Sequence, residues 1–321
     1  MNAEADLPVV VILGPTAVGK TEIAVQLAEW LDGEIVSADS RLLYRGMDIG
    51  TAKPGEEERT RVPHYLIDVA EPDEVWSLAV YQREAYRAIS EIHARGGLPF
   101  LVGGTGQYIR AVVEGWTIPK VKSDPELRDA LEGWAEEIGA EGLHERLAVV
   151  DEKAAAKIDY RNLRRTVRAL EVIMRTGRRF STQRRKTPPP YRILQVGLIR
   201  PRQALYARID ARIDAMLAAG LVEEVKNLLE QGYSPDLPTL SAIGYREVSA
   251  YVSGKISLEE AVKLMRRHTR QFVRRQANWF KEDDAHIHWF NLETNTAEDV
   301  ARAIRAWLVE GDQNSAYLKN N

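Results

Sequence analysis

The sequence predicts an α/β protein in which helices flank a parallel sheet and an all-helical segment interrupts the chain. Residues 7–13 (LPVVVIL) form a β-branched, apolar run typical of a buried parallel strand. Strand-like and helix-like segments alternate after it, as parallel sheets require. Residues 124–179, in contrast, are almost entirely helix-forming, with amphipathic periods and no strand signal.

Further helices and strands are predicted after the first strand. A glycine-bounded turn after the first strand leads into residues 20–31, where apolar residues recur at helical spacing. Residues 34–38 (EIVSA) predict a second strand, and residues 81–95 a helix that ends at two glycines. Residues 98–102 (LPFLV) predict another buried strand. Connections of this kind are expected to be right-handed crossovers.

The helical segment divides the predicted sheet into two parts. A proline run at 187–190 ends the helical pattern, and residues 193–199 (ILQVGLI) return to a strand. Mostly helical sequence follows, with a short strand-like HIHWF at 286–290. We therefore expect the α/β core to cover residues 1–114 and 191–321, the second part ending in C-terminal helices, with a helical insertion at 115–190.

The amino-acid composition excludes several kinds of chemistry and indicates the cellular compartment of the protein. The 321 residues include no cysteine, which excludes disulfides, thiolate metal sites and a thiol nucleophile. No apolar run reaches the roughly 18 residues needed to span a bilayer. The first six residues contain two acids and no basic residue, unlike a signal peptide. We expect a cytoplasmic protein with no membrane association.

Positive charge is concentrated in two stretches, although the formal net charge is −3. Residues 158–186 contain ten Lys or Arg against two acids, and residues 263–281 contain seven against none. Local potential rather than total charge attracts phosphate groups. This segregation is typical of a protein that binds a polyanion.

A phosphate-binding motif follows the first strand. In this strand–loop–helix context GxxxxGK[ST] is a specific signal for a P-loop NTPase-like sheet. The alternative is a turn that matches the motif by chance and binds no ligand. Backbone amides and the helix N-terminus can surround an anion, the lysine can neutralise its oxygens, and the threonine can bind Mg²⁺. The matching residues are Gly14, Pro15, Thr16, Ala17, Val18, Gly19, Lys20 and Thr21.

An acidic residue is expected to face this loop. Asp39 directly follows the second strand, whereas the strand at 98–102 runs into Gly103-Gly104-Thr105-Gly106 without an acid. The carboxyl ends of neighbouring parallel strands share one crevice. Asp39 could therefore hold a metal, act as a base, or cap a helix together with Ser40.

Eight motifs together resemble one family, the tRNA dimethylallyltransferases. They cover most of the chain: GPTAVGKT, SADSRLLYRGMDIGTAKP, PHYLIDV, LVGGTGQY, RNLRRTVRALEV, RIDARIDAML, AIGYRE and TRQFVRRQ. The resemblance implies transfer from dimethylallyl diphosphate to N6 of the adenosine 3′ of the anticodon, position 37. Mg²⁺ is the implied cofactor, and diphosphate is the leaving group.

The resemblance also implies roles for single residues. Asp39 matches the general base. Arg212 matches an arginine that contacts the diphosphate, and Arg208 is the alternative. Thr105 matches a contact to the target nucleotide; the alternative is that Thr105 is only a turn residue. The stretch that reads a flipped base matches Asp39, Ser40, Arg41 and Leu42. Contacts to the anticodon stem and loop match Arg128, Arg161, Asn162, Leu163, Arg164 and Arg165; the alternative is a solvated helix face.

Two other functions share some of these features. A P-loop small-molecule kinase would have the same loop and sheet, but it would not need two arginine-rich stretches. A non-catalytic RNA-binding protein would not need Lys20, Thr21 and Asp39 together. With no cysteine to form a zinc finger, the chain resembles the compact bacterial form of the family, and we expect a monomer.

Overall fold

A computed structural model describes residues 7–119, 121–183, 185–187 and 189–319, with side chains in the last helix described as far as 311. Predictions that concern residues 1–6, Arg184 and Pro188 lie outside the described residues. The chain forms two compact units. A core unit combines residues up to 113 with residues from 189 onward, and a helical unit covers 114–188. These limits lie within two residues of those expected from the sequence.

The core unit contains one six-stranded sheet in which every strand pairing is parallel. Its spatial order is β3-β2-β4-β1-β5-β6. The predicted parallel sheet is confirmed. The strands are β1 Leu7–Leu13, β2 Gly33–Ser37, β3 His64–Tyr65, β4 Leu98–Gly103, β5 Tyr191–Ile199 and β6 Ile287–Asn291.

Helices cover the sheet, and every named element in the described part of the helical unit is a helix. In chain order they are α1 Lys20–Trp30, α2 Glu56–Arg61, α3 Leu78–Ala94, α4 Gly106–Val113, α5 Pro125–Val150, α6 Glu152–Ala155, α7 Leu163–Thr176, α8 Phe180–Gln183, α9 Arg202–Ala218, α10 Leu221–Glu230, α11 Tyr245–Val252, α12 Leu258–Gln276 and α13 Ala297–Lys319. Helices α5 to α8 belong to the helical unit.

The central position of β1 in the sheet explains why its sequence is apolar on both faces. It pairs with β4 on one side and β5 on the other, so Val11 lies opposite both Leu101 and Gln195. Residues 9–13 are fully buried. A parallel strand covered by helices on both faces needs no alternation of polar and apolar residues.

A glycine brings the loop after β4 against the loop after β2. A Cβ at Gly103 would lie 2.2 Å from the carbonyl oxygen of Ala38, which is far too close. Only a residue without a side chain permits this approach. The GGTG segment and Asp39 therefore meet at the carboxyl edge of the sheet, as expected for neighbouring parallel strands.

One helix start and one strand differ clearly from the sequence predictions. Ser77 caps α3, its side chain accepting a bond from the Val80 amide, so the helix begins at Leu78 rather than at residue 81. Asn162 caps α7 in the same way, so α7 begins at Leu163. The two-residue strand β3 was not predicted, because so short a pairing leaves no periodic pattern.

The helical unit has a hydrophobic core of its own. Leu131, Leu143 and Leu147 of α5 pack with Val167 and Leu170 of α7. Helix α5 kinks at Gly139, where φ is 80°. One antiparallel bridge between residues 116 and 186 accompanies the helices.

Candidate active site

The phosphate loop has the backbone conformation that its glycines predict. Gly14, Ala17 and Gly19 have φ values of 150°, 63° and 110°, in the region that favours glycine. A Cβ at Gly14 would lie 2.5 Å from the Leu198 carbonyl oxygen on β5. Gly19 then caps α1, whose first amides have no intrahelical acceptor. The loop therefore ends in a helix N-terminus whose free amides could bind an anion.

Lys20 folds back onto this loop. Its Nζ donates to the carbonyl oxygens of Gly14 at 3.1 Å and Pro15 at 2.8 Å. Burial lowers the pKa of Lys20 to about 8, while the nearby Asp39 carboxylate raises it and the Arg212 guanidinium lowers it further. A phosphate would supply the negative charge that this buried ammonium lacks.

Arg212 and Arg208 of α9 have different neighbours. Arg212 donates to the Thr51 carbonyl at 3.2 Å; burial lowers its pKa, Asp39 raises it, and the charge of Arg208 lowers it. Arg208 is exposed and donates instead to the Ala17 carbonyl of the phosphate loop at 2.9 Å. Arg212 is therefore the arginine that lies in the electrostatic cluster with Lys20 and Asp39.

Asp39 and Thr105 are held together through Ser40. Oδ1 of Asp39 accepts the Arg41 amide at 2.9 Å, which fixes the carboxylate in a turn rather than at a helix end. Its Oδ2 accepts no hydrogen bond from the described residues. Thr105 Oγ1 accepts the Ser40 amide at 3.0 Å, and the Thr105 amide donates to the Ala38 carbonyl at 3.1 Å. Thr105 thus supports the acidic loop and is more than an isolated turn residue.

A pocket with a charged side and an apolar side joins these groups. The charged side is formed by Lys20 and Asp39, with the polar Thr21 beside them. The apolar side is formed by Ala24, Ile35, Leu42, Ile67 and Val102. The arrangement suits a small ligand that carries phosphates at one end and hydrocarbon at the other.

Arg41 does not line this pocket. Its Nη1 donates to the carbonyls of Pro238 at 3.1 Å and Thr239 at 3.2 Å, so the guanidinium ties two loops of the core unit together. Of the predicted base-reading residues, Asp39 and Leu42 line the pocket. A contact of Arg41 with a base stays a prediction.

Lys53 has a structural importance that sequence reasoning missed. Its side chain is only 4% exposed, and its Nζ donates to the Tyr44 carbonyl and to the carboxylates of Asp48 and Asp68. These bonds hold the turn that carries the Thr51 carbonyl to Arg212. The available sequence signal for this role was a lysine beside Pro54 at the end of the motif SADSRLLYRGMDIGTAKP.

Arg128 in the helical unit is engaged inside the protein. Its guanidinium makes two bonds, at 3.0 and 2.9 Å, to the fully buried carboxylate of Glu171, and Arg168 makes a third. Burial alone would raise the pKa of Glu171, but these bonds lower it to about 2. Glu171 therefore does not balance the exposed arginines of α7, and the role of Arg128 in binding RNA stays a prediction.

The beginning of α7 presents the remaining predicted cations. Arg164 and Arg165 are exposed, whereas Arg161 pairs with the exposed Asp159 at 2.8 Å. Asn162 is the helix cap and Leu163 packs against the core of the helical unit, so both have structural roles.

The second basic stretch, in the core unit, is partly neutralised. Arg266 and Arg270 of α12 both bind Asp210 of α9, and Arg266 also binds Asp214. Arg267 and Arg274 stay exposed. The sequence count therefore overstates the charge available to a polyanion here, because the neutralising acids come from another helix.

Within the described ranges, none of the helices combines the length and the apolar character that crossing a bilayer requires. The described residues also contain no group of three or more His, Cys, Asp or Glu side chains arranged to hold a metal ion.

Comparisons with known proteins identify the family of the chain. A family model described as IPP transferase matches residues 42–283. A protein of Roseiflexus sp. named tRNA dimethylallyltransferase is 51% identical over 302 residues, which are 94% of this chain and 99% of that protein. One of Thermomicrobium roseum with the same name is 49% identical, over 95% and 94% of the two chains.

Solved structures are similar along the whole chain. A tRNA isopentenylpyrophosphate transferase from Bacillus halodurans is 40% identical, with a TM-score of 0.72, covering 97% of this chain and 99% of that one. A eukaryotic dimethylallyltransferase acting on tRNA is 27% identical, with a TM-score of 0.79, covering 97% and 80%. The extent of these matches and the pocket described above lead to one conclusion: the chain belongs to the IPP transferase family.

Proposed function

We propose that this protein transfers a dimethylallyl group from dimethylallyl diphosphate to N6 of adenosine 37, immediately 3′ of the anticodon of tRNA, and releases diphosphate. The observation that carries the proposal is the pocket in which Lys20, Thr21 and Asp39 face an apolar wall. A five-carbon prenyl chain suits the apolar wall, and its diphosphate suits the phosphate loop. The family to which the chain belongs supports the same assignment.

The leaving diphosphate is stabilised at the phosphate loop. Negative charge grows on its oxygens as the allylic C–O bond breaks, and Lys20, Arg212 and the first amides of α1 would balance that charge. Thr21 and Asp39 contribute oxygens to the same pocket, and Mg²⁺ is commonly bound by one or two protein oxygens together with phosphate oxygens. These residues therefore fit Mg²⁺, which would add positive charge at the leaving group.

The acceptor amine is a poor nucleophile that must lose a proton as the new C–N bond forms. Oδ2 of Asp39 can take that proton, because Oδ1 is already held by the Arg41 amide. Thr105 keeps the acidic loop in place through Ser40. The adenine must leave its stack in the anticodon loop to reach the pocket.

Binding of tRNA is assigned to the helical unit. Arg164 and Arg165 are exposed at the start of α7, where their charge can meet phosphate groups. We further propose that the protein is a monomer and that it is cytoplasmic; the absence of cysteine fits a reducing compartment.

A paired assay distinguishes this function from that of a P-loop kinase. Purified protein is incubated with labelled dimethylallyl diphosphate and bulk tRNA, and separately with ATP in the presence and absence of tRNA. We expect label in the tRNA and negligible ATP hydrolysis in both ATP reactions. Rapid ATP turnover without label transfer would refute the proposal.

A further inference from the structure

Gln276 connects the phosphate loop with the GGTG loop. It is the last residue of α12 and is only 7% exposed. Its Oε1 accepts the Thr16 amide at 2.9 Å, and its Nε2 donates to the Gly104 carbonyl at 3.0 Å. The two partners fix the orientation of the side-chain amide, because one can only donate and the other can only accept.

The Thr16 amide belongs to the part of the loop where a third phosphate would lie. Gly19, Lys20 and Thr21 supply donors at the start of α1, on the other side of the loop. In GxxxxGK[ST] loops the lysine reaches the outer phosphates of a nucleoside triphosphate. Here Nζ of Lys20 lies at the carbonyls of Gly14 and Pro15, directly beside Thr16.

Gln276 also packs directly against the GGTG loop. A Cβ at Gly104 would lie 2.6 Å from Nε2 of Gln276, so the loop approaches this side chain as closely as a glycine allows. A third phosphate near Thr16 would therefore meet a donor that is already occupied. A diphosphate held by the start of α1 and Lys20 would not need that donor.

We propose that Gln276 is a specificity-determining residue that occupies the Thr16 amide and restricts the phosphate loop to a diphosphate. The inference rests on the proposed function, since it assumes that the loop holds the diphosphate of the prenyl donor. It explains how a loop of the triphosphate-binding type can prefer two phosphates without losing its own residues.

The test measures binding directly. Dissociation constants of inorganic diphosphate and inorganic tripolyphosphate are determined by calorimetry for the wild type and for Gln276→Ala. Gln271→Ala is the matched control, because Gln271 is an exposed glutamine on the same helix. We expect the ratio of the tripolyphosphate constant to the diphosphate constant to fall about tenfold or more in Gln276→Ala. A hydrogen bond between an amide and a charged group is typically this strong.

A second variant tests the same point if Gln276→Ala does not fold. Gln276→Glu keeps an acceptor for the Thr16 amide and adds a negative charge, so its ratio should equal or exceed that of the wild type. A lower ratio in Gln276→Glu, or an unchanged ratio in Gln276→Ala with intact diphosphate binding, would overturn the assignment of Gln276 alone. Failure of the wild type to bind diphosphate would overturn the proposed function as well.

Discussion

The state of single residues in the phosphate pocket determines what it can bind. The half-buried Lys20 contacts backbone carbonyls, and its charge is only partly balanced by Asp39. Desolvation makes the protonated ammonium costly until an anion arrives. A bound phosphate would therefore stabilise the protonated form of Lys20 more than it would stabilise that of an exposed lysine.

The pKa of Lys20, about 8 in the unliganded protein, predicts how donor affinity varies with pH. The protonated form binds the anion, and bound phosphate raises the pKa of the ammonium. As pH rises through about 8, diphosphate affinity should fall by up to about tenfold per pH unit. Calorimetry with inorganic diphosphate between pH 7 and 9.5 measures this. Lys20→Arg keeps its charge throughout, so equal slopes in the two proteins would contradict the prediction.

The role of Asp39 can be separated into proton transfer and metal binding by one substitution. Asp39→Asn preserves the shape of the loop, including an oxygen for the Arg41 amide. If Asp39 is the base, kcat should fall by roughly a hundredfold to ten-thousandfold while both KM values stay nearly constant. A Mg²⁺ titration of the variant is the check. Recovery of the rate at high Mg²⁺ would show that Asp39 organises the metal instead.

Single residues were predictable from sequence only where a local motif defines them. The loop residues 14–21 and Asp39 each follow a recognisable strand, so their position at the sheet edge could be inferred. Gln276 could not be found in this way, because its partner Thr16 is 260 positions away in the chain. The burial of Glu171 could not be found either, because its partner Arg128 is 43 positions away in the chain.

At the scale of elements, the packing of α5 against α7 depends on that buried carboxylate. Glu171 receives bonds from the side chains of Arg128 and Arg168 and from the Asp124 amide at the start of α5. The network satisfies every oxygen of a charge that would otherwise be costly to bury. The network fixes the N-terminal end of α5 on α7.

Glu171→Gln should destabilise the protein by roughly 1–3 kcal/mol at pH 7, because a neutral amide cannot replace these bonds to two guanidinium groups. The pKa of Glu171 is lowered to about 2, so its contribution is complete above about pH 4.5 and is lost as pH falls towards 2. Urea unfolding of both proteins at pH 7 and pH 3 measures the difference. A difference that is larger at pH 3 would have the wrong sign.

The start of α7 carries the prediction for RNA. Replacing Arg161, Arg164 and Arg165 with Ala should weaken tRNA binding and reduce the slope of log affinity against log salt. The reduction should be about one unit for each lost phosphate contact. Arg161 should contribute least, since it already pairs with Asp159.

Binding titrations at several salt concentrations test this, with the KM for the prenyl donor as an internal reference that should not change. Arg146→Ala, an exposed arginine on α5 of the same unit, is the control. If the triple variant kept the wild-type salt slope, this face of α7 would not contact RNA.

Element types were well predicted, and element ends were not. Helix starts depend on single capping side chains such as Ser77 and Asn162, which apolar periodicity does not reveal. The strand β3 forms because His64 and Tyr65 pair with a neighbour distant in sequence. The strand β3 is a consequence of tertiary contacts, whereas the caps are local bonds formed by single side chains.

At the scale of the whole molecule, the sheet was predictable because its central strands are short, apolar and separated by clear helices. The order β3-β2-β4-β1-β5-β6 was not, because it depends on which crossovers the chain makes. That order sets β1 and β2 on either side of β4, so the phosphate loop, Asp39 and the GGTG loop come from three adjacent strands. The chemistry of the pocket therefore depends on the fold as much as on its motifs.

The activity proposed for this pocket is the transfer of a prenyl group from its diphosphate to tRNA. Its most direct test is nucleoside mass analysis of tRNA after incubation with dimethylallyl diphosphate, Mg²⁺ and either the wild type or Lys20→Ala. We predict that the wild type converts one adenosine, mapped to position 37, into a form heavier by one dimethylallyl group. Lys20→Ala should leave the tRNA unmodified while still binding it. An unmodified tRNA from the wild type, or full modification by Lys20→Ala, would contradict this account.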